Sequence, residues 1–487
     1  MISKFGRYVF HESGLRSVYS TGRDAWLIIL CRTCRMFAHG AISLILALFF
    51  AELRVSDSHI GLFMTLTLAG DVVLSLALTL VADHVGRRRT LAVGAVLMIM
   101  SGTAFALCEN YWVLLLAAVV GVISATGGDF GPFRAIEEST LSELTTPTTR
   151  PDVLVWYVTT ASLGSAVGTE MSGRIVEALR ARDGWTLLDA YHACFWIYGV
   201  MGATNLLSNM LLSERCELRG TKGPAPIPDQ LESEPLLEGS TEEPLDAPGT
   251  PKARDIDAPP AKRSRFGQIS LETRSIMYAL WFLLMVDSLA DGMVSMSLTT
   301  YYMDQKFHLP KSTLGDVVSA SYLLSSCSTI FAGPLARRIG LVNTMVFTHI
   351  PSSAAVLLFP LPRTVPLTFA LLLVRVGLNN MDQAPRSALI AAVVRPEERT
   401  AVMGVTGMLR TLAATAGPSV TGVLAGGGRF WVAYVAAGAL RLAYDLGLFA
   451  MFINIKLHRH EPVEAAEERG EADEEDSDGE QAGVRER

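Results

Sequence analysis

Charged side chains interrupt the long apolar stretches of this sequence. Asp287 and Asp291 both lie in the apolar run 273–298, and a spacing of four places them on one face of a helix. Two carboxylates that face the same low-dielectric cavity repel each other, which favours a retained proton on one of them, as a proton carrier requires. The alternative is that one or both lie near the outer end of the helix and are simply hydrated.

Other charges inside apolar runs need a partner, water or a function, because a charge at mid-membrane costs at least ~2.5–3.5 kcal/mol. Arg441 and Asp445 have the same spacing with opposite signs, which indicates an intrahelical ion pair. Six residues are candidates for lining a solute cavity: Arg32, Arg35, Asp71, Asn379, Asn380 and Tyr301. The polar groups near 300 and 380 could bind a small polar or amphipathic solute. They could equally form interhelical hydrogen bonds and an aromatic belt.

Composition identifies the elements that must position these residues. Half of the 487 residues are hydrophobic, 18% are charged and the mean hydropathy is +0.34. A soluble protein has about 25% charged residues. Apolar runs long enough to span a bilayer recur throughout, so we predict a multi-pass protein whose surroundings are the lipid bilayer. The sequence contains no basic domain that would indicate a nucleic-acid partner.

The apolar runs predict an all-α membrane protein with about twelve transmembrane helices. Their spans are 25–52, 59–82, 90–108, 112–142, 152–178, 189–213, 273–298, 313–336, 341–360, 364–393, 400–425 and 428–455. The predicted parts are a cytoplasmic N-terminus (1–24), two six-helix bundles (25–213 and 273–456), a disordered cytoplasmic linker (214–272) and an acidic disordered cytoplasmic tail (457–487).

Lys and Arg are concentrated on one side of this predicted topology. Arg87, Arg88 and Arg89 crowd the loop between the second and third helices, and the linker and both termini carry further basic residues. The positive-inside rule therefore predicts that the termini and the linker are cytoplasmic. Arg180 and Arg182, in a loop on the other side, are the main exceptions.

The loop between the second and third helices carries a motif. Leu80-Val-Ala-Asp83-His-Val-Gly86-Arg87-Arg88 joins two apolar runs, and Gly86 permits a tight turn because it has no Cβ. The segment closely resembles the corresponding loop of the major facilitator superfamily, whose pattern is roughly G-x-L-A-D-x-x-G-R-R/K-x-x-L. Asp83, Gly86, Arg87, Arg88 and Leu91 match it, whereas a threonine replaces the opening glycine. The resemblance implies that the first four of these residues form a conformational motif at the cytoplasmic side.

The two halves of the sequence also resemble each other. Segment 79–86 aligns with 333–340, 129–132 with 382–385, and 168–173 with 417–422. Three matches in the same order indicate the parallel repeat of this superfamily. Asp129 and Asp382 occupy equivalent places, and Arg134 and Arg386 follow them. These residues either anchor the inner ends of the fourth and tenth helices or form a gate whose ion pairs break and re-form.

The resemblance implies two pseudo-symmetric bundles around a midplane site, alternating access and proton-coupled transport of a small solute. Glu170 lies where proton-coupled antiporters of the superfamily carry a G-P-x-x-G-type motif, although Thr169 replaces the proline. Arg375 resembles an arginine that related transporters use for proton coupling, although they place it in the fourth helix. Segments 341–349 and 381–386 resemble drug- or sugar-efflux-type permeases, which favours efflux.

Other classes of function have less support. A G-x-x-x-x-G-K-[ST] loop is missing, which argues against ATP-driven transport, and the dispersed histidines lack the H-E-x-x-H spacing of a metal-dependent enzyme. We expect no cofactor, no bound metal and a monomer, in the plasma membrane or an organellar membrane of a fungal or other eukaryotic cell. The alternative is a sensor or scaffold that keeps the fold and signals through its linker and tail. Truncating 220–265 and 460–487 would silence a sensor but not a transporter.

Overall fold

The computed structural model describes residues 15–121, 132–146, 149–217, 271–383, 385–386, 389–390, 394 and 399–452. Across these ranges the chain forms fifteen α-helices and contains no strand, so the predicted all-α architecture is confirmed. The predicted acidic tail and most of the predicted linker lie outside the described residues, as does Asp129.

The first half, residues 15–217, contains eight of these helices. They are α1 (Leu15–Thr21), α2 (Arg23–Glu52), α3 (Asp57–Val85), α4 (Arg87–Leu107), α5 (Tyr111–Gly121), α6 (Pro132–Leu144), α7 (Arg150–Arg180) and α8 (Leu187–Met210), followed by a 3₁₀ turn at Glu214–Cys216. The fourth predicted span corresponds to α5 and α6 with the undescribed segment 122–131 between them.

The second half, residues 271–452, contains the other seven helices. They are α9 (Leu271–Met293), α10 (Met296–Phe307), α11 (Lys311–Ile339), α12 (Leu341–Leu358), α13 (Val365–Asn379), α14 (Arg399–Gly426) and α15 (Phe430–Phe452), with a 3₁₀ turn at Asn380–Asp382. By length and hydropathy alone, α2, α4, α12 and α15 could each cross a membrane, and the bent pair α9/α10 could be a fifth span.

The seventh membrane helix is broken, contrary to the single helix predicted from the sequence. We expected one helix over 273–298, but α9 and α10 meet at an angle of 43° and the second piece continues to Phe307. The break falls at Val294 and Ser295, where the regular backbone ladder is interrupted. A break at membrane depth is tolerated only where protein groups satisfy the freed backbone atoms.

Successive membrane helices run in opposite directions, so the bundle has two faces. One face carries the connections at Gly86 and Gly340 and the start of α7 at Arg150; we call it the arginine-rich face. The other carries the connections at 53–56, 181–186 and 308–310, and we call it the opposite face. Gly86 caps α4 at the arginine-rich face with a φ of 102°, a conformation that favours glycine.

Glycines allow the helices to approach closely within and between the halves. Inside the first half, a Cβ at Gly168 would lie 2.0 Å from the Phe37 carbonyl oxygen, so α7 packs backbone to backbone on α2. Between the halves, Gly61 of α3 meets Gly422 of α14, and Gly173 of α7 meets Gly315 of α11. Both contacts between the halves lie toward the opposite face.

Polar side chains strengthen the contact between the halves at the same face. The Tyr301 hydroxyl donates to Asp57 at 2.6 Å, and the Thr300 hydroxyl donates to the Leu44 carbonyl oxygen at 3.3 Å. Where α3 contacts α14, at the same face, the Ser419 hydroxyl lies 2.8 Å from the Thr65 hydroxyl. These contacts close the space between the halves at the opposite face.

Substituting Gly61 tests this closure. A Cβ at position 61 would lie 2.3 Å from the Pro418 carbonyl oxygen, in the other half of the chain. We therefore expect Gly61→Leu to separate the halves at the opposite face while each bundle stays folded. Spin labels at exposed Asp183 and Arg429 should report a longer distance in a background without native cysteines.

Two other glycines provide the comparison. Gly426→Ala should leave the distance unchanged, because its Cβ would come no closer than 3.9 Å to Ser58 N. Gly168→Leu should instead destabilise the first bundle, by about 1–3 kcal/mol or more, because it overpacks a contact inside that bundle. An unchanged distance in Gly61→Leu would show that this contact does not hold the halves together.

Candidate functional site

A cavity of about 980 Å³ lies between the two halves. Its wall extends from Ser295, at the break between α9 and α10, and Ala414, near the middle of α14, to Arg134 and Met403 on the side of the arginine-rich face. The contacts at Gly61 and Gly173 lie on its other side, toward the opposite face. The cavity thus belongs to a conformation in which the halves meet at the opposite face.

Four of the six residues predicted from sequence to line a solute cavity do line it: Arg32, Asp71, Asn379 and Asn380. Arg32 and Asp71 come from α2 and α3 of the first half, and both are buried. Arg32 also stacks on the ring of Tyr157, with its guanidinium carbon 5.5 Å from the ring centroid. Asn379 and Asn380 come from the second half, and Asn380 donates to the Ser325 hydroxyl at 2.9 Å.

Arg35, the fifth candidate, is not among the residues that line the cavity, so the prediction for this residue was wrong. Its guanidinium forms an ion pair with Glu137 of α6 and lies over the ring of Phe133. The Tyr157 hydroxyl donates to the same carboxylate at 2.8 Å. Arg32 and Arg35 lie only about 60° apart around the helix, so the contacts with Glu137 and Phe133, rather than helix geometry, direct Arg35 away from the face that Arg32 presents to the cavity.

Tyr301, the sixth candidate, does not line the cavity either. Its hydroxyl bonds Asp57 and its ring packs near Phe430, with centroids 5.9 Å apart. This residue belongs to the closure at the opposite face, because it lies beyond the break in the seventh membrane helix, on α10.

A cluster of ionisable residues forms one wall of the second half. We define the buried cluster as Asp287 and Asp291 of α9, His349 of α12, and Arg441 and Asp445 of α15. Asp287, Asp291 and His349 line the cavity, so the two aspartates do share a helix face that borders it. Asp291 is 35% exposed, whereas Asp287 is 2% exposed.

The predicted intrahelical pair of Arg441 and Asp445 was wrong. Arg441 instead donates to Asp291, to Asn379 and, at 2.7 Å, to His349 Nε2. Asp445 lies 2.7 Å from His349 Nδ1 and accepts from the Ser353 hydroxyl at 2.7 Å. The His349 imidazole therefore lies between Arg441 and Asp445. Each of these two residues bonds partners on neighbouring helices instead of bonding the other.

Asp287 has the least satisfied carboxylate in the cluster. Its Oδ1 atom is buried and accepts no hydrogen bond from any described residue. The nearest cationic or titratable groups are His349 Nε2, 3.6 Å from Oδ1, and Arg386 Nη1, 4.0 Å from Oδ2. A buried carboxylate without a hydrogen bond is costly, so this atom is poised to receive a donor.

Arg375 supports the break in the seventh membrane helix. Its guanidinium donates to the carbonyl oxygen of Val294 and, at 2.8 Å, to the Thr299 hydroxyl. It thereby satisfies a carbonyl freed by the break and places a cation at the C-terminal end of α9. Arg375 also lines the cavity, so the structure gives it a positioning role at the edge of the candidate site.

Two further arginines extend the charged wall toward the arginine-rich face. Arg386 pairs with Asp382 at 2.8 Å, four residues earlier in the chain. Arg410 of α14 donates from Nε to the Ser288 hydroxyl at 3.1 Å. All four residues line the cavity. The predicted gate residues Asp382 and Arg386 therefore form a local pair beside the buried cluster.

Arg134, the equivalent gate residue in the first half, pairs with Glu138 of the same helix at 2.6 Å. Both line the cavity near the arginine-rich face. Glu170 lies elsewhere: it pairs with Arg174 of α7, which also reaches Asp316 of α11 at 3.0 Å. The structure thus places Glu170 at the interface between the halves near the opposite face, away from the cavity wall.

The conformational motif at Gly86 is covered by residues at the start of the predicted linker. Glu217 accepts the backbone N–H groups of Arg87 at 2.7 Å and Arg88 at 3.3 Å, so it caps α4. The Arg87 side chain pairs with Glu143 at 2.9 Å. Burial raises the pKa of the nearby Cys216 thiol to about 12, which makes it an unreactive neutral thiol. The described residues of α3 include Asp83, but not its side-chain environment.

Metal binding has no support in the described part of the chain, where no group of three His, Cys, Asp or Glu side chains is placed to hold an ion. The cavity wall instead offers guanidinium, carboxylate, amide and hydroxyl groups. Such groups can bind a polar solute and hold or pass protons.

Comparisons with known proteins place the chain in a family. The model of the Major Facilitator Superfamily matches residues 28–261 and 280–484. The uncharacterized membrane protein YJR124C of Saccharomyces cerevisiae is 32% identical over 438 residues, which cover 89% of this chain and 95% of that protein.

Solved structures share the fold at low sequence identity. The inward open conformation of the xylose transporter XylE from E. coli is 13% identical, with a TM-score of 0.63, over 91% of this chain and 98% of XylE. The nucleoside transporter NupG is also 13% identical, with a TM-score of 0.63, over 89% of this chain and all of NupG.

Proposed function

Because the chain belongs to the major facilitator superfamily, a family of secondary transporters of small solutes, we propose that it moves its solute by proton-coupled efflux. The observation that carries this proposal is the charged cavity between the halves, which is closed at the opposite face by close contacts. A cavity that contacts both halves is suited to a site whose access alternates as the halves rock against each other.

We assign the solute to the part of the cavity where side chains of the two halves face each other. Arg32 and Asp71 present opposite charges from the first half, and Asn379 and Asn380 present amides from the second. A solute that bonds both sets would link the halves, and its binding would bias their relative position. The mixture of charges and amides suits a polar or amphipathic molecule more than a purely apolar one.

Proton coupling is proposed for Asp287 and Asp291, as the sequence predicted. Both border the cavity, and Asp287 combines deep burial with an unbonded carboxylate oxygen. Glu170 and Arg375 become secondary candidates: Glu170 lies in an ion-pair chain between the halves, and the two described side-chain hydrogen bonds of Arg375 support the helix break.

The arginine-rich face is proposed to be cytoplasmic, with both termini, the linker and the tail on that side, because Lys and Arg favour cytoplasmic connections. The conformation is then inward-facing, like the one named for the XylE structure. A monomer in the plasma membrane or an organellar membrane is sufficient for this mechanism, because the cavity is formed by one chain.

Proton flux in proteoliposomes tests the proposal. Wild-type protein should show proton movement on addition of at least one member of a drug and sugar panel. Asp287→Asn or Asp291→Asn should reduce it about tenfold or more, because an amide cannot carry the coupled proton. Asp183→Asn, in the exposed loop after α7, is the matched control and should behave like wild type.

The outcomes separate the parts of the proposal. Flux that survives both substitutions would keep transport but move coupling to Glu170 or Arg375. Solute movement without proton movement in wild-type protein would disprove proton coupling. Folded protein that moves no member of a broad panel would count against transport itself.

A further inference from the structure

His349 lies at the centre of the buried cluster, although no motif or spacing in the sequence marks it. It is 2% exposed, and both ring nitrogens are engaged: Nδ1 is 2.7 Å from Asp445 Oδ1, and Nε2 is 2.7 Å from Arg441 Nη2. A guanidinium can only donate, so Nε2 must accept. Nδ1 therefore carries the ring hydrogen and donates a hydrogen bond to Asp445. This geometry fits the neutral imidazole.

Asp287 lies on the other side of the same nitrogen. Its unbonded Oδ1 atom is 3.6 Å from His349 Nε2, about 0.5 Å beyond a normal hydrogen bond. A small rotation of the imidazole would bring the two atoms together. An N–H at Nε2 would supply the donor that the buried carboxylate lacks, whereas the neutral ring with its lone pair toward Arg441 cannot.

We propose that His349 is the proton-binding residue of the transporter and that protonation switches Nε2 from Arg441 to Asp287. A proton from the cavity forms an N–H bond at Nε2, the ring becomes an imidazolium, and Nε2 donates to Asp287 while Nδ1 still donates to Asp445. The same N–H bond breaks when the proton leaves. This inference rests on the proposed proton coupling at the wall that carries Asp287 and Asp291. It places the exchanging proton on His349 and makes Asp287 the carboxylate that receives the new N–H.

The switch acts on the solute site through Arg441. Arg441 also donates to Asp291 and Asn379, both of which line the cavity. Once Nε2 carries a hydrogen, it faces the Arg441 guanidinium with like charge and no lone pair. Arg441 must then move, and the two cavity residues bound to it move or lose a donor. The proton is thereby sensed at the surface that contacts the solute.

The charged and titratable groups around His349 and the adjacent Asp287 come from four parts of the second half. Those on α9 are Asp287 and Asp291, those that follow α13 are Asp382 and Arg386, Arg410 is on α14, and those on α15 are Arg441, Tyr444 and Asp445. Asp287 and Asp445 flank the ring and attract the imidazolium, whereas Arg441 repels it. Binding of one proton therefore replaces Arg441 by Asp287 as the partner of Nε2, while Asp445 remains the partner of Nδ1.

A distance measurement across the arginine-rich face tests the switch without a known solute. Spin labels are placed at exposed Arg89 and Ile339, one in each half, in full-length protein without native cysteines. Wild-type protein should change its distance distribution between pH 5 and pH 8. His349→Gln should lose this dependence, because an amide keeps hydrogen-bonding groups but does not titrate. Asp287→Asn should lower the pH at the midpoint of this distance change by about one unit or more, because the imidazolium loses an anionic acceptor.

His192→Gln is the matched control. His192 is a histidine of the first half that bonds the Phe105 carbonyl oxygen near the opposite face, so its loss should leave the midpoint unchanged. Asp287→Asn keeps the test valid if His349→Gln fails to fold. A midpoint unchanged in both cluster variants, or a wild-type distance that ignores pH, would overturn the inference.

The flux experiment distinguishes this inference from the proposed function. If solute drives protons in wild-type protein but His349→Gln couples normally, proton coupling is supported and the assignment to His349 is wrong. If the distance titrates through His349 but no panel solute drives protons, the proton site is supported and the proposed coupling to solute is wrong.

Discussion

Replacing Arg441 with leucine is expected to destabilise the protein by about 3–5 kcal/mol, because removing one partner leaves buried charges uncompensated. The Arg441 side chain is fully buried and binds Asp291, Asn379 and His349, which lie on three other helices. The variant would leave Asp291 without its guanidinium and would remove the hydrogen bonds that Arg441 makes from α15 to α9, α12 and α13. Unfolding of the purified protein in detergent, measured against denaturant or temperature, should show the loss.

Arg429→Leu is the control for the loss of an arginine, because Arg429 is exposed in the connection between α14 and α15. It should change stability by less than about 0.5 kcal/mol. The double variant Arg441→Leu/Asp291→Leu should lose less stability than the sum of the losses in the two single variants, by more than about 1 kcal/mol. An Arg441→Leu protein as stable as wild type would show that the cluster does not hold the second bundle together.

Replacing Glu137 with alanine is expected to cost a similar amount, about 3 kcal/mol or more, in the first bundle. The Glu137 side chain has no exposed surface, and its carboxylate holds Arg35 of α2 and the Tyr157 hydroxyl of α7. Its loss leaves a largely buried guanidinium and a buried hydroxyl without their acceptor. The same unfolding measurement in detergent should detect the change.

The neighbouring Glu138→Ala supplies the control, because Glu138 is partly exposed and pairs within its own helix. It should cost less than about 1 kcal/mol. Arg35→Met combined with Glu137→Leu should restore much of the stability, because an apolar pair of similar size avoids burying a lone charge. Full stability in Glu137→Ala would contradict a structural role for this ion pair.

The fold could be predicted because its signals are local and repeated. The Gly86 turn, the arginines that follow it and the equivalent segment at 333–340 are read directly from short stretches. The placement of Asp287 and Asp291 on one cavity-facing side needed only helical periodicity. These features depend on neighbours in sequence, which is why they agree with the structure.

Partner choice inside the second bundle could not be predicted in the same way. His349 binds Asp445, 96 residues later, and Arg441 binds Asp291, 150 residues earlier. A lone histidine in an apolar helix has no spacing that reveals such partners. The i,i+4 pair Arg441 and Asp445 looked complete by itself, yet tertiary contacts outcompeted it.

Helix orientation was the other unpredictable element. A membrane helix can be apolar on every side, so periodicity does not show which side faces a neighbour and which faces a cavity. Arg35 and Tyr301 were assigned to the cavity for this reason. The helix break at Val294 carried no proline signal, and Glu217 capped α4 from a segment that looked like the start of a linker.

Sided labelling of one cavity residue tests alternating access, the central claim, most directly. Ser162 of α7 lines the cavity, and Ser162→Cys would be its only thiol in a background without native cysteines. A membrane-impermeant maleimide should label it from the arginine-rich face in otherwise wild-type protein. In Gly61→Leu protein, labelling from the opposite face should appear. A cysteine that reacts only from the arginine-rich face in both proteins, or from neither face in either, would contradict a cavity whose access alternates.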